Sequence, residues 1–357
     1  MLYRTENPHG GDVYRGDILL DYSANINPLG TPSGVVEAMA AALHTVHHYP
    51  DPYCRALVEA IAAHTSVARE DILCGAGAAE LIYAYCAAVR PRVAVELAPT
   101  FSEYGLAAQQ VGCRMERYML RQENDFLPDE GLLDYIAASG AQVVFLCTPN
   151  NPTGQLIPPA LLEKVLRLCH ERDIRLFLDE CFLDLSEGGV TMAGLLHRYP
   201  QLCILRAFTK SYGMAGVRLG YCLSGDRELL YRMSCAVQPW NVSTPAQAAG
   251  VAALAEGKFL EKSRALIFQE RRWLRERLEA LGFWACPSSA NFLLLRGGAG
   301  LDTALREKGI AIRDCSNYHG LAKGWYRVAV RRREENERLI AAMEQICGKE
   351  RQWQDPS

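Results

Sequence analysis

Short apolar runs alternate with helical patterns through the middle of the chain. The runs at residues 93–97, 143–147, 176–178 and 202–205 have the length and β-branched composition of buried strands. Between the second and third runs, apolar residues recur at helical spacing after a Pro-Pro pair, as expected for a helix that covers a parallel sheet. The pattern therefore predicts an α/β fold with a mixed, mostly parallel sheet flanked by helices.

The pattern changes at about residue 244. It predicts two helices, at residues 246–255 and around residues 262–281, and then a strand at residues 291–295. We therefore expect a smaller α+β domain over residues 244–350.

The remaining parts of the chain follow from this division. Residues 31–243 are expected to form the large domain. Residues 1–30 are rich in Asn, Gly and Pro, which favours an extended arm rather than an element of the core. Residues 351–357 are expected to be a frayed tail.

Composition narrows the classes of partner. The chain has 357 residues and a formal charge of −3, and its basic residues are dispersed along the sequence. A site for nucleic acid or a membrane surface would need clustered cations, so we expect small-molecule partners or a second copy of the chain. No apolar run is long enough for a membrane span and no signal peptide is evident, which favours a cytoplasmic protein.

The cysteines give no sign of a metal or redox centre. There are 13 of them, an odd number, and none is spaced as C-x-x-C. Most lie in apolar stretches, which is typical of buried thiols in a reducing compartment. No metal site is expected.

The segment around Lys210 carries the most specific chemical signal. Lys210 follows a predicted buried strand, where α/β enzymes place ligands, and small residues after it allow a cofactor to approach. Arg218 lies eight residues further on and supplies a fixed cation for a phosphate. A lysine at such a position is otherwise an ordinary surface residue.

Two other strand ends carry polar residues. Asp179 ends one strand, where it serves either as a helix cap or as a buried carboxylate opposite a protonated ring nitrogen. Asn151 lies in a Pro/Gly-rich turn after another strand and offers an amide donor. With Lys210, they supply the imine-forming amine, the acid and the donor that pyridoxal 5'-phosphate (PLP) requires.

A glycine-rich segment predicts the phosphate site. Gly77 and Ala78 open an apolar helix, whose first N–H groups bind anions. A dinucleotide motif would require glycine at position 80, where the chain has Glu80, so PLP phosphate fits better than NAD. Phe101 is either a core aromatic or a ring that stacks on the cofactor.

A strand-like run near the C-terminus contains Arg327 and Arg331. Because they are four residues apart, both side chains are expected on one face of the strand. Arginine binds carboxylates and phosphates with two parallel hydrogen bonds, so an anionic amino-acid substrate would use both; ordinary edge-strand cations are the alternative.

Together these segments resemble the class I/II aminotransferase group over nearly the whole chain. Residues 9–11, 21–30 and 313–328 more specifically resemble the branch that decarboxylates L-threonine O-3-phosphate. The resemblance implies a homodimer with PLP bound covalently to Lys210. It implies that Asp179 pairs with the ring nitrogen, Asn151 bonds the ring oxygen and Phe101 stacks on the ring.

The resemblance also implies the remaining contacts. The cofactor phosphate would be held by Gly77, Ala78, Thr209, Arg218 and, from the neighbouring subunit, Tyr49. Arg327 would bind the substrate carboxylate, and His9, Asn25 and Arg331 would surround the substrate.

One departure distinguishes the branches. Histidinol-phosphate aminotransferases usually have tyrosine three residues after the acid, where this chain and the decarboxylase branch have phenylalanine, here Phe182. We therefore favour the decarboxylase. A histidinol-phosphate-type aminotransferase, a decarboxylase that prefers serine phosphate and a PLP-binding regulator without activity are the alternatives.

Overall fold

The fold is built on a seven-stranded mixed sheet. The computed structural model describes residues 9–14 and 16–353. From one edge to the other, the strands are Ile72–Gly75, Gly220–Ser224, Leu202–Ala207, Arg175–Asp179, Val143–Cys147, Val93–Ala98 and Arg114–Met119. Gly220–Ser224 is antiparallel to both neighbours and the other pairs are parallel, which confirms the mostly parallel sheet predicted from the sequence.

Helices cover this sheet on both faces. Val144 and Leu146 enter one core cluster, whereas Val143 and Phe145, next to them in the same strand, enter another. Burial on both faces explains why these strands read as continuous apolar runs. The helices of the described chain are Ser33–Ala42, Arg55–Thr65, Ala78–Val89, Glu103–Gln110, Gly131–Ser139, Pro159–Glu171, Phe208–Ser211, Arg227–Ala236, Thr244–Ala255, Phe259–Ala280, Leu301–Arg306 and Arg333–Trp353.

A smaller antiparallel sheet has a core of its own. Its strands are, in order, Arg313–Asp314, Trp325–Ala329, Phe292–Arg296 and Trp284–Ala285. Residues of helices Phe259–Ala280 and Arg333–Trp353 pack with it. Helix Thr244–Ala255, in contrast, packs in the core of the large sheet through Ala246, Ala249 and Ala253. The small domain expected from residue 244 would therefore begin with a helix that packs in the core of the large sheet.

The expectation for the two ends of the chain also needs correction. Strand Leu20–Asp21 pairs in parallel with Ile310–Ala311, and Tyr22 is fully buried. The later part of the expected arm thus belongs to a core, although residues 1–8 lie outside the described residues. At the other end, helix Arg333–Trp353 continues past residue 351, and residues 354–357 of the expected tail are outside the description.

Most cysteines are buried, as expected from the sequence. Only Cys235 and Cys347 are not buried. Within the described ranges, no group of histidine, cysteine and acidic side chains is arranged to hold a metal ion. Among the helices of those same ranges, none combines the length and apolar character that crossing a membrane requires.

The end of the N-terminal segment packs against the loop that follows Lys210. The Thr31 hydroxyl donates to the Gly213 carbonyl over 2.8 Å. Gly213 has a φ of 66°, and a Cβ atom there would lie 2.6 Å from the carbonyl carbon and oxygen of Gly30. Only glycine fits this approach without displacing backbone.

We expect Gly213→Ala to lower the free energy of unfolding by about 1–3 kcal/mol because of this backbone clash. Urea unfolding of the cofactor-free protein measures the change. Gly216→Ala is the matched control from the same loop, since nothing lies within 4 Å of its Cβ position. Its effect should stay within about 0.5 kcal/mol. Equal unfolding midpoints for the two variants would contradict this packing.

Candidate active site

The register of the large sheet brings the predicted site residues together at the edge where its parallel strands have their carboxyl ends. Cys147 pairs with Asp179, and Gly220 pairs with both Ala207 and Gly75. Parallel strands end at the same edge of a sheet, so the loops that follow these residues meet there. These loops carry Asn151, Lys210 and Gly77, and Arg218 lies two residues before Gly220.

A cavity of about 400 Å³ opens at this edge. It is lined by most of the site residues predicted from the sequence, namely His9, Asn25, Ala78, Phe101, Asn151, Asp179, Thr209, Lys210, Arg218 and Arg327. Gly77 is not among the lining residues but lies beside Arg218. The structure thus brings together residues that are widely separated in the chain.

Lys210 lies in a desolvated, cationic environment. It is on the short helix Phe208–Ser211, directly after a central strand. Burial lowers its pKa to about 8, and the positive charges of Arg327 and Arg218 act in the same direction. Its Nζ atom is 5.9 Å from the centre of the Phe182 ring. A larger fraction of this amine is therefore unprotonated near neutral pH than in an ordinary lysine.

Asp179 is a buried carboxylate that accepts hydrogen bonds from two residues. Its Oδ1 atom accepts from the Cys181 N–H over 2.8 Å, and its Oδ2 atom accepts from the Tyr104 hydroxyl over 2.6 Å. Burial raises the pKa of Asp179, and the hydrogen bonds from Cys181 and Tyr104 oppose the rise. A positively charged donor in the cavity would stabilise the ionised form further.

Arg327 fixes the orientation of the Asn151 amide. One guanidinium nitrogen, Nη1, donates to Asn151 Oδ1, and the other, Nη2, donates to the Ser23 carbonyl over 2.8 Å. The Tyr318 hydroxyl lies 3.4 Å from the same Oδ1 atom. Because donors occupy the oxygen, the Asn151 Nδ2 atom is the group suited to donate to an acceptor in the cavity.

Gly77 and Arg218 form a cradle for an anion. A Cβ atom at Gly77 would lie 2.7 Å from the Nη2 atom of Arg218, so only glycine allows the guanidinium this close. Gly77 is also the residue before helix Ala78–Val89, whose first N–H groups bind anions. A guanidinium beside a helix N-terminus fits a phosphate well.

His9 reaches the cavity from the N-terminal segment. Its Nε2 atom lies 2.6 Å from Glu103 Oε1, and its ring centre is 5.7 Å from that of Phe101. The hydrogen bond and charge of His9 lower the pKa of Glu103, which also accepts a bond from the Tyr83 hydroxyl. Asn25 is buried nearby, and its Oδ1 atom has no hydrogen-bond partner among the described residues.

Besides Gly77, two predicted residues do not line the cavity. Arg331 pairs with Glu335 over 2.7 Å instead. The strand ends at Ala329, so the alternation of faces on which the expectation for Arg331 was based does not extend to it. Tyr49 is 78% exposed and stacks on Trp240 outside the cavity, with 4.5 Å between ring centres.

Sequence reasoning missed other residues of the cavity. Arg313 lines it and pairs in antiparallel register with Arg327, so the two side chains share a face. Tyr318 and Glu103 also line it, and Tyr104 contacts Asp179 from behind. The only signal was that Arg313 and Tyr318 lie in a stretch noted for its family resemblance, because the pairing of the two strands cannot be read from spacing.

The comparisons with known proteins identify the family. The model of the aminotransferase class I and II family matches residues 17–343, so the chain belongs to this family. It is 35% identical to a threonine-phosphate decarboxylase of Salmonella typhimurium, over 95% of this chain and 96% of that protein. It is 31% identical to a histidinol-phosphate aminotransferase of Methanococcoides burtonii, over 92% and 90% respectively.

A solved structure agrees with this assignment. The histidinol-phosphate aminotransferase of Clostridium acetobutylicum superimposes with a TM-score of 0.86 at 28% identity, covering 93% of this chain and all of that one. The chain is therefore an enzyme of a PLP-dependent family, and the predicted cofactor and fold are confirmed. The anion cradle, the buried acid and the desolvated lysine in one cavity fit that cofactor.

The lowered pKa of Lys210 gives a direct prediction. In the cofactor-free protein, acylation of Lys210 by acetic anhydride should rise with pH around a midpoint at about pH 8, because only the unprotonated amine reacts. Peptide mass spectrometry at each pH measures the modified fraction. Arg327→Met should move the midpoint to higher pH by removing a positive neighbour. A wild-type midpoint near 10.4, the usual value for lysine, would refute the environment described here.

Proposed function

We propose that this enzyme decarboxylates L-threonine O-3-phosphate, releasing carbon dioxide and (R)-1-amino-2-propanol O-2-phosphate for cobalamin biosynthesis. The observation that carries the proposal is the pairing of Arg313 with Arg327 on one face of the small sheet, both lining the cavity. These two arginines are separate from Arg218, which belongs to the anion cradle with Gly77. Two guanidinium groups beyond the cofactor phosphate site suit a substrate with two anionic groups, a carboxylate and a phosphate.

The cofactor would be held by residues from several strand ends. Lys210 would bind it covalently, Asp179 would face its ring nitrogen, and Asn151 would donate from Nδ2 to its ring oxygen. Phe101 would stack on the ring. The phosphate would be bound by Gly77, Ala78, Thr209 and Arg218. When bound, PLP supplies an electron-poor ring that takes up the electrons left when a bond to the substrate α-carbon breaks.

Substrate orientation would depend on Arg327. Its guanidinium is held by Asn151 and by the Ser23 carbonyl, so a carboxylate bound to it would have a fixed direction. His9, Asn25 and Arg313 would surround the rest of the substrate. In decarboxylation the bond between the α-carbon and the carboxylate breaks, whereas amino transfer breaks the α-carbon–hydrogen bond.

Lys210 is suited to return a proton to the α-carbon after carbon dioxide leaves. Its pKa of about 8 lies close to neutral pH, where a group is an effective acid and base. Asp179, fixed by Tyr104 and Cys181, would keep a proton on the ring nitrogen through its negative charge.

Phe182 supports the decarboxylase over the aminotransferase. Its ring lines the cavity and packs edge to face on Phe292, 5.0 Å away. The tyrosine hydroxyl that is usual at this position in histidinol-phosphate aminotransferases is therefore replaced by an apolar surface beside Lys210.

Two alternative activities remain open to test. Similarity to histidinol-phosphate aminotransferases, at 31% identity over most of the chain, favours amino transfer as the second candidate. A preference for serine phosphate is the other, since one substrate methyl group contributes only about 1–3 kcal/mol of selectivity.

We also propose that the enzyme acts as a homodimer. Tyr49 and Trp240 form an exposed aromatic stack, and Leu43, Val46 and Tyr53 are exposed nearby in the chain. Exposed apolar surface of this kind is typical of protein interfaces. Arg218 is also exposed in the single chain, which leaves room for the neighbouring subunit's Tyr49 at the cofactor phosphate.

Purified protein with PLP and L-threonine phosphate should release carbon dioxide and aminopropanol phosphate steadily without any keto acid. Product release is measured by mass spectrometry and carbon dioxide by a coupled assay. Lys210→Ala is the control and should lose turnover, because it lacks the amine. Serine phosphate in parallel measures the contribution of the methyl group.

A different result would decide against the decarboxylase. If no carbon dioxide appears, but histidinol phosphate and 2-oxoglutarate yield glutamate, the enzyme is an aminotransferase. In that case the two arginines would serve the dicarboxylic amino donor.

A further inference from the structure

Behind the cavity, a series of polar contacts connects the residues that directly follow Lys210 and Asp179 in the sequence. Asp184, in the short turn after Phe182, does not line the cavity. Its Oδ2 atom accepts a hydrogen bond from the Ser211 hydroxyl over 2.9 Å, and its Oδ1 atom accepts one from Arg206 over 2.6 Å. Ser211 directly follows Lys210 in the chain.

The other end of this series of contacts leads to Asp179. The Nε atom of Arg206 lies 3.3 Å from Oε2 of Glu180, which directly follows Asp179. This contact is an ion pair; Glu180 is buried and accepts hydrogen bonds from the Thr191 hydroxyl and the Met192 N–H. Arg206 itself lies in the strand that leads into the lysine helix.

The segment that bears the lysine is also held by its backbone. The Asn27 N–H donates to the Lys210 carbonyl over 3.2 Å, and its Nδ2 atom donates to the Ser211 carbonyl over 2.8 Å. Ser211 is fully buried, so its hydroxyl has no solvent to replace Asp184. Loss of this contact would leave a buried polar group without a partner.

Charge strengthens the contact between Asp184 and Ser211. Burial alone would raise the pKa of Asp184, but Arg206 and Ser211 hold it below its usual value. Asp184 is thus an ionised acceptor, and hydrogen bonds to ionised groups are roughly twice as strong as neutral ones. Arg264 of the long helix Phe259–Ala280 donates to the Asp184 carbonyl over 3.1 Å and fixes the turn from the other side.

We propose that Asp184 is a positioning residue that holds the Lys210 backbone through Ser211 and, through Arg206 and Glu180, sets it relative to Asp179. This inference rests on the proposed role of Lys210 as the amine that binds the cofactor. Capture joins the lysine nitrogen to the cofactor aldehyde carbon with loss of one water, and its rate depends on where that nitrogen lies.

The test separates cofactor docking from covalent capture. Stopped-flow mixing of cofactor-free protein with increasing PLP gives a rate that saturates: the plateau reports capture by Lys210, and the half-saturation concentration reports docking at the phosphate cradle. Ser211→Ala should lower the plateau at least tenfold and change half-saturation less than threefold. Removing one hydroxyl leaves the Arg206–Asp184 pair in place.

Ser224→Ala is the matched control. Ser224 is also fully buried, and its hydroxyl donates to the Leu202 carbonyl over 2.9 Å. This contact lies at the opposite end of the strands of the same sheet. Its plateau should match the wild type. If Ser211→Ala stays within twofold of the wild type, or Ser224→Ala slows capture as much, the contact is merely structural and the proposal is overturned.

Asp184→Asn tests the role of the carboxylate itself. It keeps an oxygen for Ser211 but removes the charge opposite Arg206, so the plateau should also fall. A wild-type plateau in a folded Asp184→Asn protein would mean that Ser211 acts without Asp184. If the wild-type protein shows no saturating capture at all, the proposed role of Lys210 fails instead, and the two failures are thereby distinguished.

Discussion

The buried guanidinium of Arg327 is the contact on which the site depends. It joins the loop after a central strand of the large sheet, at Asn151, to the N-terminal segment, at Ser23, and it belongs to the small sheet itself. Only 6% of the residue is exposed. Taking a cation out of water is costly unless its donors are used, so these partners and the ring of Phe292, 5.5 Å away, stabilise it. Three distant parts of the chain must be in place for the cavity to exist.

The cations around the cavity also determine its chemistry. Lys210, Arg218, Arg313 and Arg327 all line it, and burial together with the charges of Arg327 and Arg218 lowers the pKa of Lys210 and so favours its neutral form. A phosphate and a carboxylate have the charge that complements these cations. Asp179 lines the same cavity, and Tyr104 and Cys181 donate hydrogen bonds to its carboxylate. The acid and the amine therefore have different roles, although both are buried.

Much of this arrangement could be predicted from the sequence because it follows from local patterns. The apolar runs predicted the parallel strands. Polar residues that follow the ends of parallel strands meet at one edge of the sheet, which explains why Lys210, Asp179 and Asn151 lie together. Errors arose where the structure depends on long-range pairing. Strand Leu20–Asp21 pairs with residues nearly three hundred positions away, and Arg313 faces Arg327 only through strand register. The end of the strand before Arg331 is likewise not visible in spacing.

The central claim is that these strand ends form one PLP site with Lys210 as its covalent attachment point. The most direct measurement is reduction of the PLP-loaded enzyme with borohydride, followed by proteolysis and peptide mass spectrometry. The account predicts that the reduced cofactor is found on Lys210. Stoichiometric labelling of a different lysine, with Lys210 unmodified, would contradict it.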